Sequence, residues 1–180
     1  MTQRENQTKQ RPLNAVLSQP GKRRVTLERT YEASLKDIWA LWTTQKGFES
    51  WWGPEGFTVK VRKLDLRPGG DLCYDMIAIG PEQIQFMKDA GMASSTPSQL
   101  TYSEIDAMKR LAFTHLIDFV PEVEAYNVET KVELYLDGNR VRMVVKLDPM
   151  HNEEWTDRTV SGWESQLTKL DKVFRGLKNK

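Results

Sequence analysis

The chain has 180 residues, of which 39% are hydrophobic and 28% charged, an ordinary balance for one globular domain. Its formal net charge of +1 excludes a whole-chain basic field for nucleic acid, and no run nears the ~18 apolar residues that a bilayer span needs. A single cysteine, Cys73, allows neither an internal disulfide nor a cysteine-based metal cluster, and the polar start MTQRENQTKQRPLN lacks the apolar stretch of a secretory signal. The expectation is a soluble cytoplasmic protein without metal or cofactor, whose partner is neither nucleic acid nor a membrane span.

Residues 1–22 are polar, carry Pro12 and Pro20 and have no sustained period, which predicts a flexible N-terminal arm ahead of a single domain over 23–178. Basic residues gather at both chain ends around an acidic body, and both ends read as solvated segments. Val25, Leu27 and Tyr31 alternate with Thr26, Glu28 and Thr30, which predicts the first strand. Ser34 then suits an N-cap, with Asp37 as its capping-box partner. Leu35, Ile38, Trp39 and Trp42 fall on one helical face, and a second short helix follows over Gln45 to Trp52.

Strands dominate from Phe57 onward. Arg67-Pro68-Gly69-Gly70 is a turn, with Arg67 placed to pair with Asp65. Leu72–Ile79 reads as a covered strand, in which Cys73 is a buried, inert thiol. Residues 80–99 interrupt the pattern: Glu82–Ala90 predicts a helix, and Ser94–Ser98 a loop. Leu100–Asp106, Leu111–Val120, Tyr126–Leu136 and Val141–Leu147 read as strands, the last two joined through the hairpin turn Asp137-Gly138-Asn139. Trp155, Thr159, Trp163, Leu167, Leu170, Phe174 and Leu177 then form the stripe of one long helix. Gly162, beside Trp163, predicts close helix–sheet approach. Short strand connections favour antiparallel pairing, so the order predicts an α+β fold: a curved antiparallel sheet of about six or seven strands on a long C-terminal helix, with two short helices after strand 1.

All six tryptophans fall in predicted helical parts, which must cover the sheet. Such aromatics are ordinary core, and they are also what an apolar ligand pocket requires. Of the two histidines, His115 is in phase with Leu111, Phe113, Ile117 and Phe119, whereas Asp118 faces the other way, which speaks against a His–Asp dyad. His151 precedes Asn152, a cap candidate for the last helix. No nucleophile elbow, zinc-protease motif or phosphate loop is present. The polar groups that could enter a cavity are Tyr74, Tyr102, Glu104, His115 and Tyr126.

VTLERTYEASLKDIWALWTT, ESWWGPEGF, LDLRPGGDL and SGWESQLTKLDKVF, in this order, resemble the activator of heat-shock-protein-90 ATPase homologue-like family of the START-like (SRPBCC) superfamily, relatives of the polyketide cyclases. The resemblance spans roughly residues 23–175 and implies the helix-grip fold, in which the long helix and bent sheet enclose a cavity. The family's co-chaperone carries another domain ahead, whereas about 22 residues precede the first strand here, so chaperone contact is not expected. Since such folds host carriers and cyclases alike, function must come from the site.

The leading reading is a binding module for a small apolar or amphipathic molecule, with Trp39, Trp52, Phe57, Tyr74, His115, Trp155, Trp163 and Leu167 as its wall. The alternatives are a cyclase- or hydrolase-type enzyme, with His115 and Tyr102 or Glu104 as weak acid–base candidates, and a chaperone-linked interaction module using the acidic body. Phe86 or Met87 would cover the cavity entrance. The competing reading buries that apolar side on the sheet edge or on a second copy, as a homodimer.

Overall fold

The computed structural model describes residues 24–118, 120 and 122–178; the predicted arm, Phe119 and the side chain of Leu177 lie outside them. β1 (Val25–Tyr31) is followed by α1 (Leu35–Thr43) and α2 (Gln45–Trp51), then β2 (Phe57–Leu64), β3 (Asp71–Ala78), α3 (Pro81–Asp89), β4 (Ser95–Asp106), β5 (Arg110–Ile117), β6 (Tyr126–Asp137), β7 (Arg140–Leu147) and α4 (Glu153–Lys178). The strands make one antiparallel seven-stranded sheet in the order β1-β7-β6-β5-β4-β3-β2. This is the α+β helix-grip arrangement expected from the element order, and β1 lies both at an edge and beside the last hairpin.

Local chemistry sets the element ends. Ser34 Oγ accepts from the Asp37 amide at 3.1 Å and donates to the Asp37 carboxylate at 2.7 Å, which fixes the start of α1. Thr44 ends α1 and starts α2: its hydroxyl accepts from the Gly47 amide at 3.0 Å and donates to the Ala40 carbonyl at 2.7 Å. Arg67 pairs with both Asp65 oxygens at 3.0 Å across the Pro68-Gly69 turn, where Gly69 takes φ +79°. Asn152 Oδ1 accepts from the Trp155 amide at 2.9 Å and caps α4.

The core lies between the sheet and α4. Trp163, Leu167, Leu170 and Phe174 are buried on the helix, and Leu27, Tyr31, Val132, Met143 and Val145 on the strands. Each such side chain contributes about 1.5–3 kcal/mol by leaving water. The Tyr31 and Phe174 rings are centred 4.3 Å apart, and the Tyr31 hydroxyl donates to Asp171 at 2.8 Å.

Five expectations are corrected. Ser95–Ser98 are strand, not loop, because β4 pairs with β3 from Ser95 opposite Ile77. β5 reaches β4 only at Thr101, so Pro97 lies where β4 has one neighbour and its missing N–H breaks no ladder. The interruption between strands is therefore residues 79–94, and β5 ends at Ile117 rather than at Val120. Cys73 is partly exposed. Finally, a Cβ placed on Gly162 would meet nothing within 4 Å, so this glycine serves no close approach to the sheet.

Candidate functional site: the cavity under the long helix

The short helices and the WWGPEGF segment build an aromatic cluster. Trp42, Phe48 and Trp51 are essentially sealed, and Trp51 donates its indole N–H to the Leu41 carbonyl at 3.0 Å. Trp52 stands at the centre: it stacks on Phe48 at 4.5 Å and meets Trp163 edge-on at 5.4 Å and Phe113 at 6.0 Å. Such pairs add about 0.5–1.5 kcal/mol beyond their burial, so the cluster is a stiff wall.

Four side chains of α4 hold this segment in place. Gln166 Oε1 accepts from the Gly53 amide at 2.9 Å, and Ser165 Oγ accepts from the Glu55 amide at 3.0 Å. The half-buried Lys169 ammonium donates to the carbonyls of Gly53 at 2.9 Å, Phe57 at 2.8 Å and Trp52 at 3.3 Å, while Lys172 pairs with Glu55 at 3.2 Å. Burial pulls the Lys169 pKa below the ordinary lysine value, and the nearby Glu55 charge opposes that pull. The glycines and proline of the segment expose backbone groups that polar side chains at helical spacing on α4 then satisfy.

Between this wall, the sheet and the first half of α4 lies a cavity of about 340 Å³. Trp52, Tyr74, Met76, Leu100, Phe113, Ile117, Val128, Leu147, Met150, Trp155 and Trp163 form its apolar lining. His115, Thr130, Thr159 and Gln166 supply neutral polar groups, and Glu129, Asp148 and Arg158 border it. The bordering charges are paired. Arg24 joins Glu129 at 2.7 Å and Asp148 at 2.8 Å; Arg158, whose side chain is 64% exposed, pairs with Glu154 at 2.6 Å and lies over the Trp155 ring. The cavity therefore reaches solvent where Arg158 lies. Burial holds the His115 imidazole below the usual histidine pKa, with a smaller opposing pull from Asp118, so it is neutral at pH 7.

The structure brings Trp52, Tyr74, His115, Trp155 and Trp163 together around this cavity. It places the other expected wall residues elsewhere. Trp39 is a partly buried residue of α1 packed against the core, Leu167 is fully sealed within the core, and Phe57 opens β2, its carbonyl taken by Lys169. Nor do Phe86 and Met87 line the cavity: Phe86 is 66% exposed on α3, and Met87 is buried. Glu104 is held by Lys131 at 2.9 Å and Arg110 at 2.9 Å, which keep its carboxylate below the ordinary pKa, and it takes no part in the lining. Tyr102 is sealed away from the cavity, and burial pushes its hydroxyl up to about 12. Tyr126 meets His151 Nδ1 at 2.9 Å, also outside the lining.

Among the polar lining residues, Thr130, Thr159 and Gln166 were missed by sequence reasoning. Thr130 belongs to the alternating inward set of β6, and Gln166 lies three residues after Trp163, at core spacing. A polar side chain at a core position was the available signal. Among the described residues, no group of three or more His, Cys, Asp or Glu is placed to hold a metal, and no helix is long and apolar enough to cross a membrane.

A bent antiparallel sheet gripping one long helix over an aromatic-walled cavity defines a helix-grip domain. The family model described as activator of Hsp90 ATPase homolog 1-like protein matches residues 32–175, and the chain belongs to this family. No curated protein matches the chain. Among solved structures, a protein from Arthrobacter aurescens is similar at 21% identity and TM-score 0.66, over 84% of this chain and 85% of that one. A protein from Nitrosomonas europaea gives 21% and 0.64, covering 87% and 97%. An AHSA1-like protein from Aeromonas hydrophila gives 16% and 0.63, covering 88% and 96%. At these identities the likeness concerns the fold alone.

Proposed function

We propose that the chain binds a small apolar or amphipathic molecule in the cavity under α4. The observation that carries this reading is the cavity itself: about 340 Å³ left open in a core otherwise sealed by large rigid aromatics. Interiors close such space unless something occupies it, and sites for small molecules are concave, mostly apolar and supplied with a few placed polar groups. The enzyme alternative has less support. Its acid–base candidates Tyr102 and Glu104 lie away from the cavity, and the carboxylates that border it, Glu129 and Asp148, are both paired with Arg24.

Native mass spectrometry of protein purified from its own host tests the reading. A retained small molecule, lost in a Thr159→Trp variant that fills the cavity, is the expected result. A bare chain mass that persists when apolar probes are offered at micromolar concentration would reject it.

A further inference from the structure

The polar groups inside the cavity are neutral, and three of them have hydrogen-bonding capacity to spare. Gln166 is 8% exposed; its carbonyl oxygen is taken by the Gly53 amide, and its NH₂ group makes no hydrogen bond to any described residue. Thr130 is 7% exposed and lies opposite Phe113 and Leu147 in the sheet, both of them lining residues. Its hydroxyl likewise has no partner among the described residues. His115 lies opposite Val128, diagonal to Thr130 on the same face, and its ring makes no hydrogen bond to a described residue.

These groups are not sealed against packed atoms. Among the described residues, the buried side-chain nitrogen and oxygen atoms without partners are Trp42 Nε1, Trp52 Nε1 and the Tyr102 hydroxyl, and neither Gln166 nor Thr130 is among them. Their spare capacity therefore opens onto the cavity that both residues line. Two side chains nine-tenths buried, each with an unused polar group facing one apolar space, are the signature of a complementary ligand, because an unmade buried hydrogen bond is costly.

Resting on the ligand-binding reading above, we propose that the ligand is an uncharged aromatic compound bearing a hydroxyl or carbonyl oxygen, held by Gln166, Thr130 and His115, and not a carboxylate. Trp52, Phe113 and Trp163 all line the cavity, and aromatic side chains pair favourably with an aryl ring. The Gln166 NH₂ group can only donate, so it requires an oxygen acceptor; the threonine hydroxyl and a neutral imidazole both donate and accept. A carboxylate buried beside this trio would find no cation. Arg158 is at the solvent edge against Glu154 and Trp155, and Arg24 is committed to Glu129 and Asp148. An unpaired buried anion is strongly disfavoured.

Titration of the full chain with naphthalene, 2-naphthol and 2-naphthoate at neutral pH separates the possibilities, since the three share a ring system and differ in the polar group. The expected result is 2-naphthol binding about fivefold more tightly than naphthalene, the size of a neutral hydrogen bond, and 2-naphthoate binding more weakly than 2-naphthol by about tenfold or more. Thr130→Val keeps the side-chain shape and removes a hydroxyl that no described residue uses; it should fold normally. This variant and His115→Leu should each reduce the ratio of 2-naphthol to naphthalene affinity by about two- to fivefold. If 2-naphthoate binds as tightly as 2-naphthol, or if the preference survives both variants, the neutral-oxygen proposal is wrong and the ligand-binding reading stands. Failure of all three probes to bind overturns that reading itself, and the proposal with it.

Discussion

Gly47 and Gly162 both sit inside helices and answer to opposite constraints. A Cβ on Gly47 would come within 2.1 Å of the Ala40 carbonyl oxygen, a backbone atom that cannot move aside without pulling α1 from α2. Gly47→Ala should therefore cost about 1–3 kcal/mol in chemical denaturation. At Gly162 the space is open, and alanine is the better helix former, so Gly162→Ala should stabilise by about 0.5–1 kcal/mol. His115 adds a pH dependence. Its folded pKa is lowered, chiefly by burial, so between the folded value and the ordinary ~6.5 the unfolded chain binds the extra proton, and stability declines as pH falls. Denaturation midpoints measured from pH ~7 to ~5.5 should fall in the wild type and fall less in His115→Leu.

α3 divides its apolar residues by role. Met87 is buried, whereas Ile84 and Phe86 are exposed, as are the flanking Ile79 and Met92. Met87→Ala should destabilise by about 2 kcal/mol, and Phe86→Ser should stay within about 0.5 kcal/mol. A larger loss in Phe86→Ser, read by thermal unfolding at several protein concentrations, would mean that this face is covered in solution. Most elements were legible in the sequence because their signals are local: Ser34 with Asp37, Asp137-Gly138-Asn139, and the alternation of β6. The start of β4 was not, because Pro97 and its flanking serines give no apolar alternation, and Thr96, Pro97 and Ser98 are held by pairing with Met76, Asp75 and Tyr74. For the same reason the anchoring of the WWGPEGF segment, which supplied Trp52 and Phe57 as expected wall residues, was not legible. Its function as a cavity wall comes from Ser165, Gln166 and Lys169, more than 100 residues away.

Across the molecule, Trp163 is where the layers meet. It stacks on Trp42 at 6.4 Å, touches Trp52 edge-on and lines the cavity, so it serves both core and pocket. Trp163→Ala should cost about 3 kcal/mol, the low end for a buried aromatic because part of its surface already faces open space, and should abolish probe binding. A loss under about 1 kcal/mol with unchanged binding would refute both roles. The sequence by itself determined the antiparallel strand run and the long gripping helix, since periods of 2 and 3.6 residues record which side of each element leaves water. It also determined that aromatics would crowd the helical layer. Only the tertiary structure decided that Trp39, Phe57 and Leu167 stand apart from the cavity while Thr130 and Gln166 face it. Periodicity tells which face is buried; whether a buried face meets packed atoms or open space depends on how elements distant in sequence fill the volume between them.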